Sequence, residues 1–157
     1  MTILDNLLTR ASGAMQKPGL AMRKAIATAH SAATYAAIKE RTGVMPKGLS
    51  KAERADLKAR VAEQLKYYDA FAAQAGDMSE AGVVARAGMY AGAVRGTYYG
   101  ARYPGLNQYP GDGSTKCLTN CLCSLDERDD GIHWILDGGE HCEDCQAMAE
   151  GGPYETE

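Results

Sequence analysis

The chain has 157 residues, 45% hydrophobic and 24% charged, a length that suits one domain with a small appendage. No stretch reaches the roughly 18 uncharged apolar residues of a membrane span, because Arg86 and Arg95 interrupt the most apolar segment, so no membrane partner is expected. The net charge of −3 divides into +7 over residues 1–116 (16 Lys+Arg against 9 Asp+Glu) and −10 over residues 117–157 (one Arg against 11 acids), which sets the C-terminal part against phosphate and leaves DNA contact to the basic helices.

Four helical segments come first. Thr2, with Asp5 three residues on, opens a helix whose apolar stripe is Leu4, Leu7, Leu8, Ala11 and Met15, ended by Pro18-Gly19. A second helix spans about Leu20 to Arg41, with Met22, Ile26, Ala29, Ala33 and Ala37 on one face and Gly43 as its stop. Its mostly alanine stripe gives thin packing. Ser50 and Glu53 form a capping box for a third helix carrying Leu57, Val61, Leu65, Tyr68 and Ala72. Gly76 breaks it, Asp77 with Glu80 caps the next, and the short turn between them predicts an antiparallel helical hairpin.

The fourth helix, about Met78 to Arg102, sets Gly88, Gly92, Gly96 and Gly100 at four-residue steps. Each interior glycine costs about 1 kcal/mol of helix stability relative to alanine. Such a stripe suits a close backbone approach by the third helix or by a neighbouring subunit; the alternative is a kinked helix. Tyr67, Tyr68, Tyr90, Tyr98, Tyr99 and Tyr103 are candidate partner contacts, or else packing within the hairpin. Three turn signals, Pro104-Gly105, Pro110-Gly111 and Asp112-Gly113, mark a loop before the cysteines.

All five cysteines, Cys117, Cys121, Cys123, Cys142 and Cys145, lie within 29 residues. The odd count and the lack of a basic-then-apolar leader argue against a secreted disulfide framework and set cytoplasmic synthesis as the expectation. Cys142-Glu-Asp-Cys145 has the spacing of a metal knuckle, and Cys117, Cys121 and Cys123 supply the opposite pair. Thiolates are soft ligands that favour a tetrahedral structural Zn2+. The favoured ligands are Cys117, Cys121, Cys142 and Cys145, with Cys123 as the alternate for Cys121. His141 is a further candidate donor and His133 a candidate to pack by Trp134, though both read more simply as structural or surface residues, and His30, His133 and His141 are too few and scattered to hold a second, reactive metal. Leu122–Leu125 and Ile132–Leu136 read as two short strands joined by the acidic turn 126–131, a zinc-ribbon-like layout. A redox pair at Cys142 and Cys145 is the metal-free alternative, but no βαβ pattern precedes it. Other catalytic constellations are missing from the sequence, so no enzyme activity is expected.

Tyr109-Pro-Gly-Asp-Gly-Ser-Thr-Lys-Cys-Leu-Thr-Asn-Cys-Leu-Cys123, then Trp134-Ile-Leu, Glu140-His-Cys-Glu-Asp-Cys145 and Gly152-Pro-Tyr154, resembles the C-terminal part of minor head or head-morphogenesis proteins of tailed bacteriophages. The likeness runs from about Ala70 to Tyr154 and includes Arg86, Met89-Tyr90 and Tyr98. It implies a structural virion protein, multicopy or homo-oligomeric, partnered with other head, portal or capsid proteins near the portal or on the inner capsid. The rival class is a zinc-ribbon nucleic-acid-binding regulatory protein. The expected fold is mostly α: a helical region over 1–103 containing a long antiparallel hairpin, a linker loop over 104–116, and a zinc-binding β-hairpin module over 117–157.

Overall fold

The structure is a computed structural model that describes Asn6 and residues 19–155. The N-terminal stripe from Leu4 to Met15 lies outside the described residues. Helices α1 (Leu20–Thr42), α2 (Lys51–Ala72) and α3 (Glu80–Arg102) are followed by strands β1 (Ser124–Arg128) and β2 (Gly131–Ile135) and a short helix α4 (Glu143–Gly151). The expected mostly helical fold with a C-terminal β-hairpin is what the chain adopts. No described helix is long and apolar enough to cross a membrane.

The three long helices run up, down, up. Arg41 near the end of α1 pairs with Glu53 at the start of α2 at 3.2 Å, and Arg23 near the start of α1 pairs with Asp69 near the end of α2. Tyr68 and Phe71 of α2 meet Tyr90 early in α3, which makes α2 and α3 the expected antiparallel hairpin. The most extensive packing of α3, however, is against α1, which runs parallel to it. Ala33 and Ala37 of α1 are fully buried, as are Met22, Ile26 and Val94 of the same core. Small side chains on α1 let larger ones from α3, Tyr90 and Tyr98 among them, fill the space between the helices.

The tyrosines of the hairpin pack inward. Tyr68, Tyr90, Tyr98, Tyr99 and Tyr103 are buried, and Tyr67 alone of the six is exposed. Their hydroxyls reach polar partners at the core's edge: Tyr68 donates to Gly19 O at 3.0 Å, and Tyr98 bonds to Glu40. Burial and the Glu40 carboxylate push the Tyr98 phenol well above its ordinary range, so it stays a neutral donor.

Local capping explains the helix boundaries. Ser50 Oγ accepts from Glu53 N at 3.2 Å, and the Glu53 carboxylate accepts from Ser50 N at 2.7 Å, closing the expected capping box. The α3 cap differs from expectation. Ser79 occupies it, accepting from Gly82 N at 3.1 Å, while Asp77 ends a 3-10 turn over Ala75–Asp77. Ser and Asp cap comparably well, so the turn after α2 decides which of them stands at the entrance.

The glycine stripe receives a loop over most of its length, with a side chain of α2 reaching its last glycine. A Cβ on Gly92 would stand 2.3 Å from Thr119 O, and one on Gly96 would stand 2.4 Å from Gly111 O. At Gly100 the intruders would be the Tyr109 hydroxyl at 2.5 Å and the Arg60 guanidinium of α2 at 2.8 Å. Gly88 has nothing within 4 Å. The segment 104–119 therefore lies on α3 with Tyr109, Pro110 and Thr115 buried. Asp112 shapes it, accepting from Tyr109 N at 2.9 Å and Ser114 N at 2.8 Å, and Gly111 and Gly113 take φ of 82° and 88°.

The hairpin pairs Leu125 with Trp134 and Arg128 with Gly131. The first strand thus runs through Asp126–Arg128, which sequence reading placed in the turn. Tyr154 adds two backbone bonds to Ile132, at 2.8 and 2.9 Å, along the free edge of β2. Ile132 is buried in the helical core, so the two parts of the chain share one apolar interior.

Two predictions follow from these contacts. Gly96→Ala places a methyl against immovable backbone and should cost about 1–3 kcal/mol, whereas Gly88→Ala should stabilise by up to about 1 kcal/mol, both read from urea midpoints. The second concerns His30, which is fully buried, with Nδ1 2.6 Å from Thr97 Oγ1 and no partner for Nε2 among the described residues. Burial, aided by the Arg60 charge, lowers its pKa to about 4. Below pH 6.5 the unfolded chain takes up a proton that the fold refuses. Stability should therefore be whole above pH 6.5 and fall by about 3 kcal/mol in total as pH drops through 4. His30→Gln should remove that component, read as a smaller difference in urea midpoint between pH 7 and pH 4.5 than in the wild type.

Candidate metal centre

Two chain reversals bring the cysteines together. The first runs from Cys117 through a 3-10 turn, Leu118–Asn120, to Cys121 and Cys123. Leu118 takes a φ of 50°, a left-handed conformation that costs a leucine about 1 kcal/mol. The second reversal ends at Cys142, which stands as N-cap of α4 with extended dihedrals, and Cys145 follows in the first helical turn. The amide-rich start of a helix favours negative charge on sulfur there.

The five sulfurs form two overlapping groups. Cys117, Cys142 and Cys145 lie within 4.8 Å of one another, as do Cys121, Cys123 and Cys145. Cys145 Sγ is 3.5 Å from Cys121 Sγ and 3.9 Å from Cys117 Sγ. A tetrahedral zinc with Zn–S bonds of about 2.3 Å needs S···S edges of about 3.8 Å. The observed separations are of that size, and all five cysteines are free thiols. The cluster can hold a metal ion. Of the four favoured ligands, Cys117, Cys142 and Cys145 form one group, while Cys121 stands in the other with Cys123, which is fully buried, and meets the first group through Cys145.

His141 stands beside this cluster, its Nδ1 3.5 Å from Cys123 Sγ. His133 turns away from it and bonds Asp130 at 2.8 Å, because successive residues of a strand face opposite sides and its neighbour Trp134 takes the inner one. His30 belongs to the helical core.

The thiols respond unequally to their setting. Burial pushes Cys145 well above the ordinary thiol range, and hydrogen bonds with Cys121 and Cys142 add to it; burial also pushes Cys121 up. Burial opposes ionisation of Cys142 as well, but hydrogen bonds from the Cys117 thiol and the Cys145 amide outweigh it and bring the group down to about 7. A cation among the sulfurs would supply the charge that the buried thiolates otherwise lack.

Three side chains that the cysteine spacing does not reveal hold the centre in place. Arg95 of α3 donates to Cys121 O at 2.8 Å and Cys123 O at 3.4 Å. Tyr99 Oη accepts from Leu125 N at 3.2 Å. Asp144 accepts from Lys116 N at 2.7 Å, so it ties the two cysteine segments together rather than merely facing water. A charge in the +7 half opposite the acidic half was the only sequence signal for Arg95.

Arg95→Ala should loosen the module without unfolding the bundle. Loss of the charged donor to two carbonyls should cost about 2 kcal/mol, seen as faster amide exchange over residues 121–125 with little change in α1. Compared with known proteins, the chain matches no family model, no curated protein and no solved structure.

Proposed function

We propose that this chain is a structural protein of a tailed-phage particle, a minor capsid, head-morphogenesis or connector-associated component, whose C-terminal module is fixed by zinc. The observation that carries the metal half of this reading is the convergence of the other four thiols, from two segments, onto Cys145. Sulfur donors select a soft, tetrahedral ion, and a donor set supplied wholly by the protein suits a structural role. The virion half rests on the resemblance of residues 70–154 to phage head proteins.

The surface suits assembly. Helix α2 buries only Tyr68 and Phe71 and leaves most of its length for neighbours. Leu20, Val84 and Leu122 are more than half exposed. The reading as a nucleic-acid-binding ribbon is weaker, because the module's balance of −10 opposes phosphate.

Trp134, the sole tryptophan, is buried beside the cysteines and reports on the metal directly. Protein kept reduced should carry zinc, and a chelator should shift the Trp134 emission to the red while most helical circular dichroism survives. Absence of metal together with unchanged emission in chelator would refute the metal half. For the virion half, peptides of this chain should be found by mass spectrometry in purified particles of the phage that encodes it; particles lacking them would overturn the assignment.

A further inference from the structure

A single tetrahedral ion leaves one of the five cysteines without a role, and the geometry is also awkward for it. No four sulfurs of the cluster lie mutually within 4.8 Å; each group of three does, and Cys145 belongs to both. We infer that the cluster binds two divalent ions, with the Cys145 thiolate bridging them. This rests on the metal reading above but does not follow from it.

The two positions differ. The inner ion has Cys121, Cys123 and Cys145, all buried. His141, with Nδ1 3.5 Å from Cys123 Sγ, is placed to turn in as its fourth donor. The outer ion has Cys145 with Cys117 and Cys142, which are half-buried, so its fourth position is the more accessible of the two. There a water or an external donor would complete the tetrahedron.

Charge favours the same arrangement. Five thiolates with one divalent ion carry −3, and four thiolates with one ion carry −2 beside a neutral fifth thiol. Five thiolates with two divalent ions carry only −1, in a segment already rich in carboxylates. Arg95, bonded to the carbonyls of Cys121 and Cys123, is positioned to offset that remainder. The protons of the five thiols leave to solvent as the ions bind.

The test is stoichiometry on the reduced full chain. Native mass spectrometry with added zinc should saturate at two ions per chain. Loaded with cadmium-113, the protein should give two resonances split by coupling through the shared sulfur. Cys117→Ser should keep the inner ion only, and Cys145→Ser should lose both. Should Cys145→Ser not fold, the wild-type count and the cadmium coupling decide alone. Saturation at one ion with a single cadmium resonance would overturn the two-ion centre and leave the structural zinc standing. Failure to bind any metal would overturn both.

Discussion

Contact of backbone on backbone, along one face of α3, organises the rest of this molecule. Gly92 and Gly96 remove the side chains that would otherwise hold the segment 104–119 away from the helix. The loop carbonyls of Gly111 and Thr119 therefore sit where methyl groups would stand. The cost is lost helix propensity, about 1 kcal/mol for each glycine. The gain is positional: with Thr119 fixed on α3, Cys117 and Cys121 are delivered to one place at a defined height along the helix. Arg95, on the same helix, then reaches the carbonyls of Cys121 and Cys123.

The division of charge along the chain fits this arrangement. A balance of +7 on the helical part and −10 on the cysteine part would matter little if the two were far apart in space. Here they touch. Arg102 meets Glu127 at 3.0 Å, and Lys116, at the end of the loop, meets Glu143 at 2.6 Å. Both pairs involve exposed carboxylates, so each is a weak contributor in solvent. Their effect lies in orientation: the opposite charges draw the acidic hairpin toward α3. Two of the basic side chains are therefore engaged within the chain.

The three long helices and the cysteine cluster were legible in the sequence because their signals are local. Ser50 and Glu53 bond across one turn, so the start of α2 needs no knowledge of the fold, and Gly43 in a left-handed conformation ends α1 as expected. The cysteine spacing likewise marks which residues meet. What escaped were choices made by distant contacts. The partner of the glycine stripe was invisible because an approaching backbone has no side-chain signature. Ser79 displaced Asp77 because the 3-10 turn after α2 sets the phase of the chain. The strand through Asp126–Arg128 looked like a turn because its side chains are acidic and exposed, and its pairing with β2 is a backbone matter. Cys121 and Cys123 could not be told apart by spacing, since residues two apart on an extended chain share a face.

Those same two cysteines show why the module cannot be treated as a separate bead on a string. A segment of about 40 residues buries too little apolar surface to fold unaided. It has two supports, the sulfur cluster and the helical core. Trp134 and Ile132 are both buried on β2, Trp134 in the cysteine cluster and Ile132 in the larger core that the helices build. Tyr154 packs against both clusters and closes the strand edge. Each support then raises the stability of the other, because the strand that places Trp134 among the cysteines also places Ile132 in the helical core. A metal bound at the cysteines would therefore be linked to bundle stability, since a ligand that binds only the folded chain stabilises that fold.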